Sequence, residues 1–371
     1  MFQPEKLKLA KRMTKQERIT RITIAKNSDL LNALKKMDET VSKLLLVFDD
    51  SKFIGLLSVG DVQRAIISNK PLSTHVCDVM RKEITLATSY EDLETVKQRM
   101  LKHRTELMPV VDLNEDLVDV YFWDDFFQEK HLSNVEQLNI PVVIMAGGKG
   151  TRLKPITNII PKPLIPLGEK PIIEEIVDRF YELGVTDFFL SVNYKHEMIK
   201  LHFDSLLLKK YKLNYVIEDV PLGTGGSLYL IKDQIKTTFF VSNCDIIINQ
   251  DYSEIYKYHK ANENELTIVA ALKYWTIPYG TLETKEDGEL VSLKEKPEIV
   301  SKINTGMYIL EPHLLQEIPD NTFWHITDLI EKILERGGKV GVFPVSQGAW
   351  FDIGEWKEYN STMKKLGFDF F

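Results

Sequence analysis

The chain has 371 residues, 44% hydrophobic and 27% charged, the balance of a globular protein but more than one ordinary core holds, so two domains are expected. Its net charge of −7, with acids and bases interleaved, leaves no broad basic field for a nucleic-acid backbone, and any phosphate ligand must be held by local groups. The charged start, MFQPEKLKLAKRMTKQER, lacks a secretory apolar core, and no later run approaches the roughly 18–20 apolar residues of a membrane span. Cys77 and Cys244 have neither disulfide-framework nor metal-ligand spacing, so a cytoplasmic protein with two structural cysteines is expected.

The first 135 or so residues hold an internal repeat: ITIAKNSDLLNALKKM from Ile22 is echoed by ITLATSYEDLETVKQRM from Ile84. LLLVFDDSKFIGLLSVGDVQRAI corresponds in the same way to ELMPVVDLNEDLVDVYFWDDFF. Each copy reads as strand, helix and hairpin, followed by a helix expected to open at Asp61 or Asp124. Such a unit cannot bury its apolar face alone, so the copies are expected to pack together.

This arrangement resembles a tandem pair of cystathionine-β-synthase (CBS) domains over about residues 16–130, with copies at 16–75 and 76–130. In that family a Gly-x-x-Ser/Thr-x-x-Asp run often holds the phosphate and ribose of adenine nucleotides. Gly55, Ser58 and Asp61 match it in the first copy; in the second, Val118 and Tyr121 stand for the glycine and serine while Asp124 remains. The resemblance therefore implies at most one good regulatory site, at Ser58 and Asp61. The same two residues are also good helix caps, and the sequence leaves both readings open.

The polar stretch EKHLSNVEQLN sets the boundary near Val135, giving domains at 1–135 and 136–371. Strands are expected at 140–146, 186–192, 213–218 and 237–242, alternating with helices near 171–183, 196–209 and 225–234. This βαβ alternation implies an α/β, Rossmann-like, doubly wound, mostly parallel sheet, whose ligands gather at the carboxyl ends of the strands.

The first of these strands runs into AGGKGTRLKPITNIIPKPL. Gly147, Gly148 and Gly150 remove side chains where backbone N–H groups must approach a polyphosphate, and Arg152 and Lys162 place cations beside it. The loop lacks the Gly-Lys-Ser/Thr end of a Walker motif and the spacing of a dinucleotide fingerprint.

Here the chain resembles the nucleotidyltransferases that activate sugar 1-phosphates, from about Ile140 to the C-terminal region. Their signature Gly-Gly-x-Gly-Thr-Arg-Leu stands complete at Gly147 to Leu153, followed by Pro161-Lys162-Pro163-Leu164. LGTGGSL from Leu222, SNCD closing at Asp245, EKP from Glu295, and NTGMYIL from Asn304 follow in order. The resemblance implies that Arg152 and Lys162 grip the triphosphate, with Gly147, Gly148, Gly150, Thr151, Gly223 and Thr224 around the nucleotide. It implies a Mg2+ ion on Asp245 and Asp352, the latter in WFDIG. Lys296 would neutralise the sugar phosphate, and Gly280, Glu295, Asn304 and Thr305 would line the sugar pocket. Taken alone, EKP reads better as a solvated charge pair; Tyr279-Gly280 before it and Asn304-Thr305-Gly306 after it favour the pocket.

A sugar phosphate is already largely dianionic, so its oxygen can attack the α-phosphorus in line without a side chain removing a proton. Sequential kinetics and inversion at phosphorus are therefore expected, with no nucleotidylated enzyme. Glu218 stands where family members using uridine or thymidine nucleotides commonly carry glutamine. A carboxylate only accepts, which suits the adjacent N1–H and N2–H2 of guanine and favours GTP, unless Glu218 points elsewhere and a backbone amide reads the base. A CBS pair ahead of such a domain also resembles the guanylyltransferases of bacterial nonulosonic (legionaminic) acid pathways, which use glucosamine 1-phosphate; mannose, glucose and heptose 1-phosphates are the competing acceptors. The N-terminal half is expected to tune activity or assembly, by binding an adenine nucleotide or by pairing into a homo-oligomer. A non-catalytic nucleotide sensor is the rival reading, and the intact set Arg152, Lys162, Asp245, Lys296 and Asp352 argues against it. His259, His313 and His325 are isolated and read as structural.

Overall fold

A computed structural model describes residues 14–81, 84–103, 105–127, 137–206, 211–366 and 368. They divide into an N-terminal and a C-terminal compact unit; the boundary expected near Val135 lies outside the described residues.

The repeat is real at the level of hydrogen bonding. Strands β1 (Thr23–Ala25), β2 (Leu44–Asp49) and β3 (Lys52–Ser58) form one sheet in that order, and β4 (Ala87–Thr88), β5 (Leu107–Val111) and β6 (Leu117–Phe122) form a second with the same order. In both, the first pair is parallel and the second an antiparallel hairpin. The helix Leu30–Thr40 forms because Asp29 accepts from the Asn32 N–H at 2.7 Å while Leu30, Ala33, Leu34 and Met37 fall on one buried face.

The structure corrects the alignment of the copies by one residue. The helices open at Val59 and Trp123, and the third helical positions are Asp61 and Asp125. Asp61 accepts from the Ser58 N–H at 2.8 Å, and Asp125 from the Phe122 N–H at 2.9 Å. Phe122 therefore stands in the place of Ser58, Asp125 in that of Asp61, and Asp119 in that of Gly55. The cause is the second hairpin turn, where Asp112 accepts from the N–H groups of Asn114 and Asp116 at 2.8 and 3.0 Å and closes a turn one residue longer.

The C-terminal unit is built on a seven-stranded sheet in the order β11 (Lys212–Ile217), β10 (Asp187–Val192), β7 (Val142–Met145), β12 (Phe239–Asn243), β17 (Glu298–Leu310), β14 (Leu266–Thr276), β18 (Val340–Val345). All neighbours are parallel except those of β17, which runs antiparallel to β12 and β14. Both faces are buried: Val142 and Ile144 pack with the helix Ile172–Glu182, whereas Val143 and Met145 pack with the helix Ile326–Glu335. From β7 the chain winds outward through β10 and β11, then returns to lay β12 on the other side of β7. That reversal opens a crevice at the carboxyl end of β7, where open α/β sheets bind ligands.

Three two-stranded pairs lie outside this sheet: β8 (Pro166–Leu167) with β9 (Lys170–Pro171), a hairpin of β15 (Thr281–Thr284) and β16 (Leu290–Lys294), and a third that joins two distant segments. β13 (Ile246–Ile248) and β19 (Trp350–Asp352) pair antiparallel with Ile246 opposite Asp352. The helix expected near 225–234 is instead a single turn, Gly223–Gly226, continued as a 3-10 helix, Ser227–Ile231. Glycine is a poor helix former, and the Gly225 and Gly226 N–H groups are both drawn to Trp324 O at 2.9 Å.

Candidate active site

The glycine loop leaves the carboxyl end of β7 at the crevice. Gly150 has φ +62, and a Cβ there would lie 2.9 Å from both Lys162 Cβ and Thr157 Cγ2, so only glycine lets the Lys162 segment pack against the loop. A Cβ at Gly147 would meet Glu218 Oε1 at 2.9 Å, whereas one at Gly148 would meet nothing within 4 Å, so Gly148 faces open space. Thr151 and Arg152 lie exposed on a short 3-10 turn anchored by buried Leu153. Lys195 steadies the connecting loop by donating to the carbonyls of Asn158 and Ile159 at 2.5 and 2.7 Å, a role the sequence did not signal.

Asp245 follows β12 and Asp352 ends β19; the β13–β19 ribbon carries them together across more than a hundred residues of sequence. Gly354 marks their meeting point. A Cβ on it would lie 2.9 Å from Asp352 Oδ1, 3.3 Å from Asp245 Oδ2 and 3.6 Å from Arg152 Nη2. Lys162 donates to Asp245 Oδ2 as an ion pair, with both side chains largely buried. Asp352 Oδ1 accepts from the Gly354 N–H at 2.7 Å. Burial, joined by the charge of Asp245, raises the Asp352 carboxyl above its ordinary value despite the Gly354 bond and the charge of Lys162. Two partly buried carboxylates converging on one point beside a cleft are the hard oxygen donors that suit a divalent cation such as Mg2+. Just before Asp245, burial pushes the Cys244 thiol up to about 12, with the Asp245 charge adding to it, so this cysteine is inert packing.

On the base side, Glu218 is buried at 6% exposure just past β11. Its Oε1 accepts from Ser191 Oγ at 2.6 Å and its Oε2 from the Leu222 N–H at 2.9 Å. The carboxylate thus braces the loop leading to Gly223, and only its remaining lone pairs can face a base. Gly223 has φ +77, with Trp324 O 2.5 Å from where a Cβ would stand. Thr224 is also committed to the protein: its Oγ1 accepts from the Ile326 N–H at 3.2 Å. Ser191 and Trp324 are positioning residues that carry no motif and were missed in the sequence.

The sugar-side residues separate. Gly280, Glu295 and Lys296 are exposed at the outer end of the β14–β17 ribbon, where the Ile277 N–H bonds Pro297 O at 3.0 Å. Gly280 and Glu295 are neighbours, since a Cβ on Gly280 would meet Glu295 Oε2 at 3.0 Å. Asn304 lies nearer the sheet, exposed, donating to the Tyr308 hydroxyl at 2.8 Å. Thr305 is turned the other way: it is 3% exposed and its hydroxyl donates to Val269 O at 2.7 Å. Alternation along a strand places neighbours on opposite faces, so Thr305 ties β17 to β14 and only Asn304 faces outward.

In the N-terminal unit, Ser58 and Asp61 form the helix cap, with the Asp61 N–H donating to Ser58 Oγ at 3.2 Å. Asp61 is also met by Arg64 and by Arg81 Nε at 2.9 Å. Burial opposes ionisation of Asp61, but the bonds from Ser58 and Arg81 outweigh it and hold the carboxyl below its ordinary value. The second copy repeats the device: Arg18, from the helix Lys15–Arg21, pairs with Asp125 at 2.8 Å and Asp124 at 3.0 Å and lies 3.8 Å over the Phe122 ring. Of the histidines read as structural, His259 bonds Thr267 Oγ1 at 2.8 Å and Glu311 Oε1 at 3.2 Å and His313 bonds Glu265 at 2.8 Å, while the His325 N–H donates to Asp328 at 2.7 Å at the start of the helix Ile326–Glu335. Among the described residues no helix is long and apolar enough to cross a membrane.

Comparison with known proteins agrees with this geometry. Residues 141–367 match the model of the nucleotidyl transferase family, and residues 13–68 and 76–129 each match the CBS domain. The chain is similar to the mannose-1-phosphate guanylyltransferase catalytic subunit beta of Dictyostelium discoideum, 31% identical over 229 residues covering 60% of this chain and 63% of that protein. It is also similar to the mannose-1-phosphate guanyltransferase of Schizosaccharomyces pombe, 35% identical over 230 residues covering 58% and 61%. It thus spans less than two thirds of the length of either relative. Among solved structures it resembles HddC from Yersinia pseudotuberculosis, 28% identical over 61% of this chain and 99% of that one, with a TM-score of 0.48. With its sheet, its glycine loop and the match over most of its length, the chain belongs to the nucleotidyl transferase family and carries two CBS domains ahead of that domain.

Proposed function

We propose that the chain is a sugar-1-phosphate guanylyltransferase, joining GTP to a hexose or hexosamine 1-phosphate in the cytoplasm with release of pyrophosphate. The observation that carries this is the convergence of Arg152, Lys162, Asp245 and Asp352 at the crevice beside the glycine loop. Asp245 and Asp352 would hold Mg2+, which when bound supplies charge neutralisation to the phosphates. The N–H groups around Gly148 and the Arg152 guanidinium bind the triphosphate and stabilise the pyrophosphate as it leaves. Lys296 and Glu295 receive the sugar phosphate and its hydroxyls, which requires the outer ribbon to approach the crevice. The acceptor oxygen attacks the α-phosphorus, the bond to the departing pyrophosphate breaks, and no side chain acts as nucleophile.

Guanine selection is supported by the acceptor-only carboxylate of Glu218 and by the names of the relatives. For the acceptor, the CBS pair ahead of the domain favours glucosamine 1-phosphate and a place in nonulosonic acid synthesis, whereas the relatives favour mannose 1-phosphate. A matrix of nucleoside triphosphates against mannose, glucosamine, glucose and heptose 1-phosphates, read by pyrophosphate release, tests both; a strong preference for UTP overturns the guanine reading. Glu218→Gln is the sharper probe. Its carbonyl can still accept from Leu222, and Ser191 can turn to accept from the new amide, so the fold should hold. The ratio of kcat/KM for GTP over UTP is expected to fall about tenfold or more. In the N-terminal unit, an adenine nucleotide at Ser58 and Asp61 would have to displace Arg81, and assembly of two CBS pairs into a homo-oligomer is the companion role.

A further inference from the structure

Lys162 reaches Asp245 by construction rather than by chance. Pro161 and Pro163 fix the backbone on either side of it, the segment is wound into the 3-10 turn Lys162–Leu164, and its Cβ rests against Gly150. From that pivot the ammonium pairs with Asp245 Oδ2, the two side chains being only 12% and 15% exposed. The same oxygen lies 3.3 Å from the point beside Gly354 where Asp352 Oδ1 and Arg152 Nη2 also arrive. One of the two carboxylate oxygens that converge there therefore already carries a monovalent cation.

We propose that Lys162 guards the cation site, occupying the place beside Asp245 in the unliganded protein, opposing a cation that arrives alone and leaving readily when a triphosphate draws the ammonium into the glycine loop. The proposal rests on the reading that Asp245 and Asp352 hold a divalent cation. An ammonium and a divalent cation cannot share one partly buried carboxylate oxygen without strong repulsion, because little water lies between them to screen it. Pivoting about its Cβ against Gly150, the lysine stem can exchange Asp245 for a phosphate oxygen in the adjoining loop. One charge thus serves two states: it compensates Asp245 while the loop is empty and the triphosphate when it is full. The consequence is that cation and triphosphate bind as a coupled pair, and free cation alone binds weakly.

Binding of Mn2+ alone to the full chain, followed by electron paramagnetic resonance without nucleotide, tests this. Lys162→Met should bind Mn2+ about tenfold or more tightly than the unaltered protein, the gain expected from removing one like charge in a poorly screened site. Lys162→Arg should bind as weakly as the unaltered protein, and Lys162→Met with Asp245→Asn should lose the gain. Equal or weaker Mn2+ affinity in Lys162→Met overturns the guard. If Asp352→Asn then abolishes Mn2+ binding, the cation reading survives that failure; if neither aspartate variant changes Mn2+ binding in any background, the cation reading itself fails. A second measurement needs no variant: Mn2+ alone should raise acylation of Lys162 by an amine-reactive reagent, read by peptide mass spectrometry, and an unchanged or lowered yield counts against the guard.

Discussion

Single side chains in this protein carry burdens their motifs do not reveal. Glu218 was singled out as a base reader, yet both its oxygens accept bonds from Ser191 and Leu222, so it is also the brace of the base-side loop. Glu218→Ala leaves a buried N–H without its acceptor and should cost about 1–3 kcal/mol in denaturant unfolding of the transferase unit. Asp352 shows the opposite economy. Its carboxyl is raised by burial and by the neighbouring Asp245, so in the absence of cation its charge works against the folded state. Asp352→Asn keeps an acceptor for the Gly354 N–H and removes that charge. The variant should melt about 1–4 °C higher without cation or nucleotide, while pyrophosphate release falls at least about a hundredfold. A lower melting temperature would show that Asp352 is a structural carboxylate.

At the scale of elements, the site depends on loops docked against distant segments. The loop at Gly223 lies on the residues before the helix Ile326–Glu335, with the Trp324 N–H donating to Leu222 O at 2.9 Å. Gly223→Ala forces an L-residue to φ +77 and sets a methyl 2.5 Å from Trp324 O. A loss of about 1–3 kcal/mol is expected, with KM rising for the nucleotide more than for the sugar phosphate. The far end of that helix is held by Arg336, which donates to Glu265 at 2.5 and 3.0 Å and to Glu317 at 2.7 and 3.1 Å. Glu265, His313 and Glu317 come together at metal-ligand spacing, but the Arg336 guanidinium already pairs with both carboxylates. Arg336, aided by His313 and the Lys339 N–H, lowers the Glu265 carboxyl to about 2 from an ordinary 4.5. A depressed carboxyl contributes stability in full above its ordinary value and loses it as pH falls toward the folded value. Arg336→Met should therefore cost about 1 kcal/mol at neutral pH, a cost that shrinks between pH 4.5 and 2; urea unfolding at several pH values checks the sign.

At the scale of the whole molecule, the C-terminal unit has its own cores on both faces of one sheet, and the N-terminal unit has another. If the proposed roles hold, a chain beginning at Gln137 should fold cooperatively and keep the proposed transferase activity while losing the proposed nucleotide response and CBS-mediated assembly; unchanged kinetics, nucleotide response and sedimentation would remove any regulatory role from the N-terminal unit. The sequence by itself determined the repeat, the winding of the sheet and the glycine loop, because these are written in local periodicity and in residues whose backbone needs are unmistakable. It also supplied Asp245 and Asp352 as a pair, though only through resemblance. What it misjudged was register and orientation: Asp125 rather than Asp124 matches Asp61, Thr305 faces into the protein, and the helix after Gly223 is broken. Tertiary structure alone decided that β13 and β19 bring the two carboxylates together, that Lys162 rests on Asp245, and that Glu218 braces a loop. These are contacts between residues far apart in the chain, fixed by strand pairing and by the few places where a missing Cβ lets one backbone approach another, and neither leaves a periodic trace in the sequence.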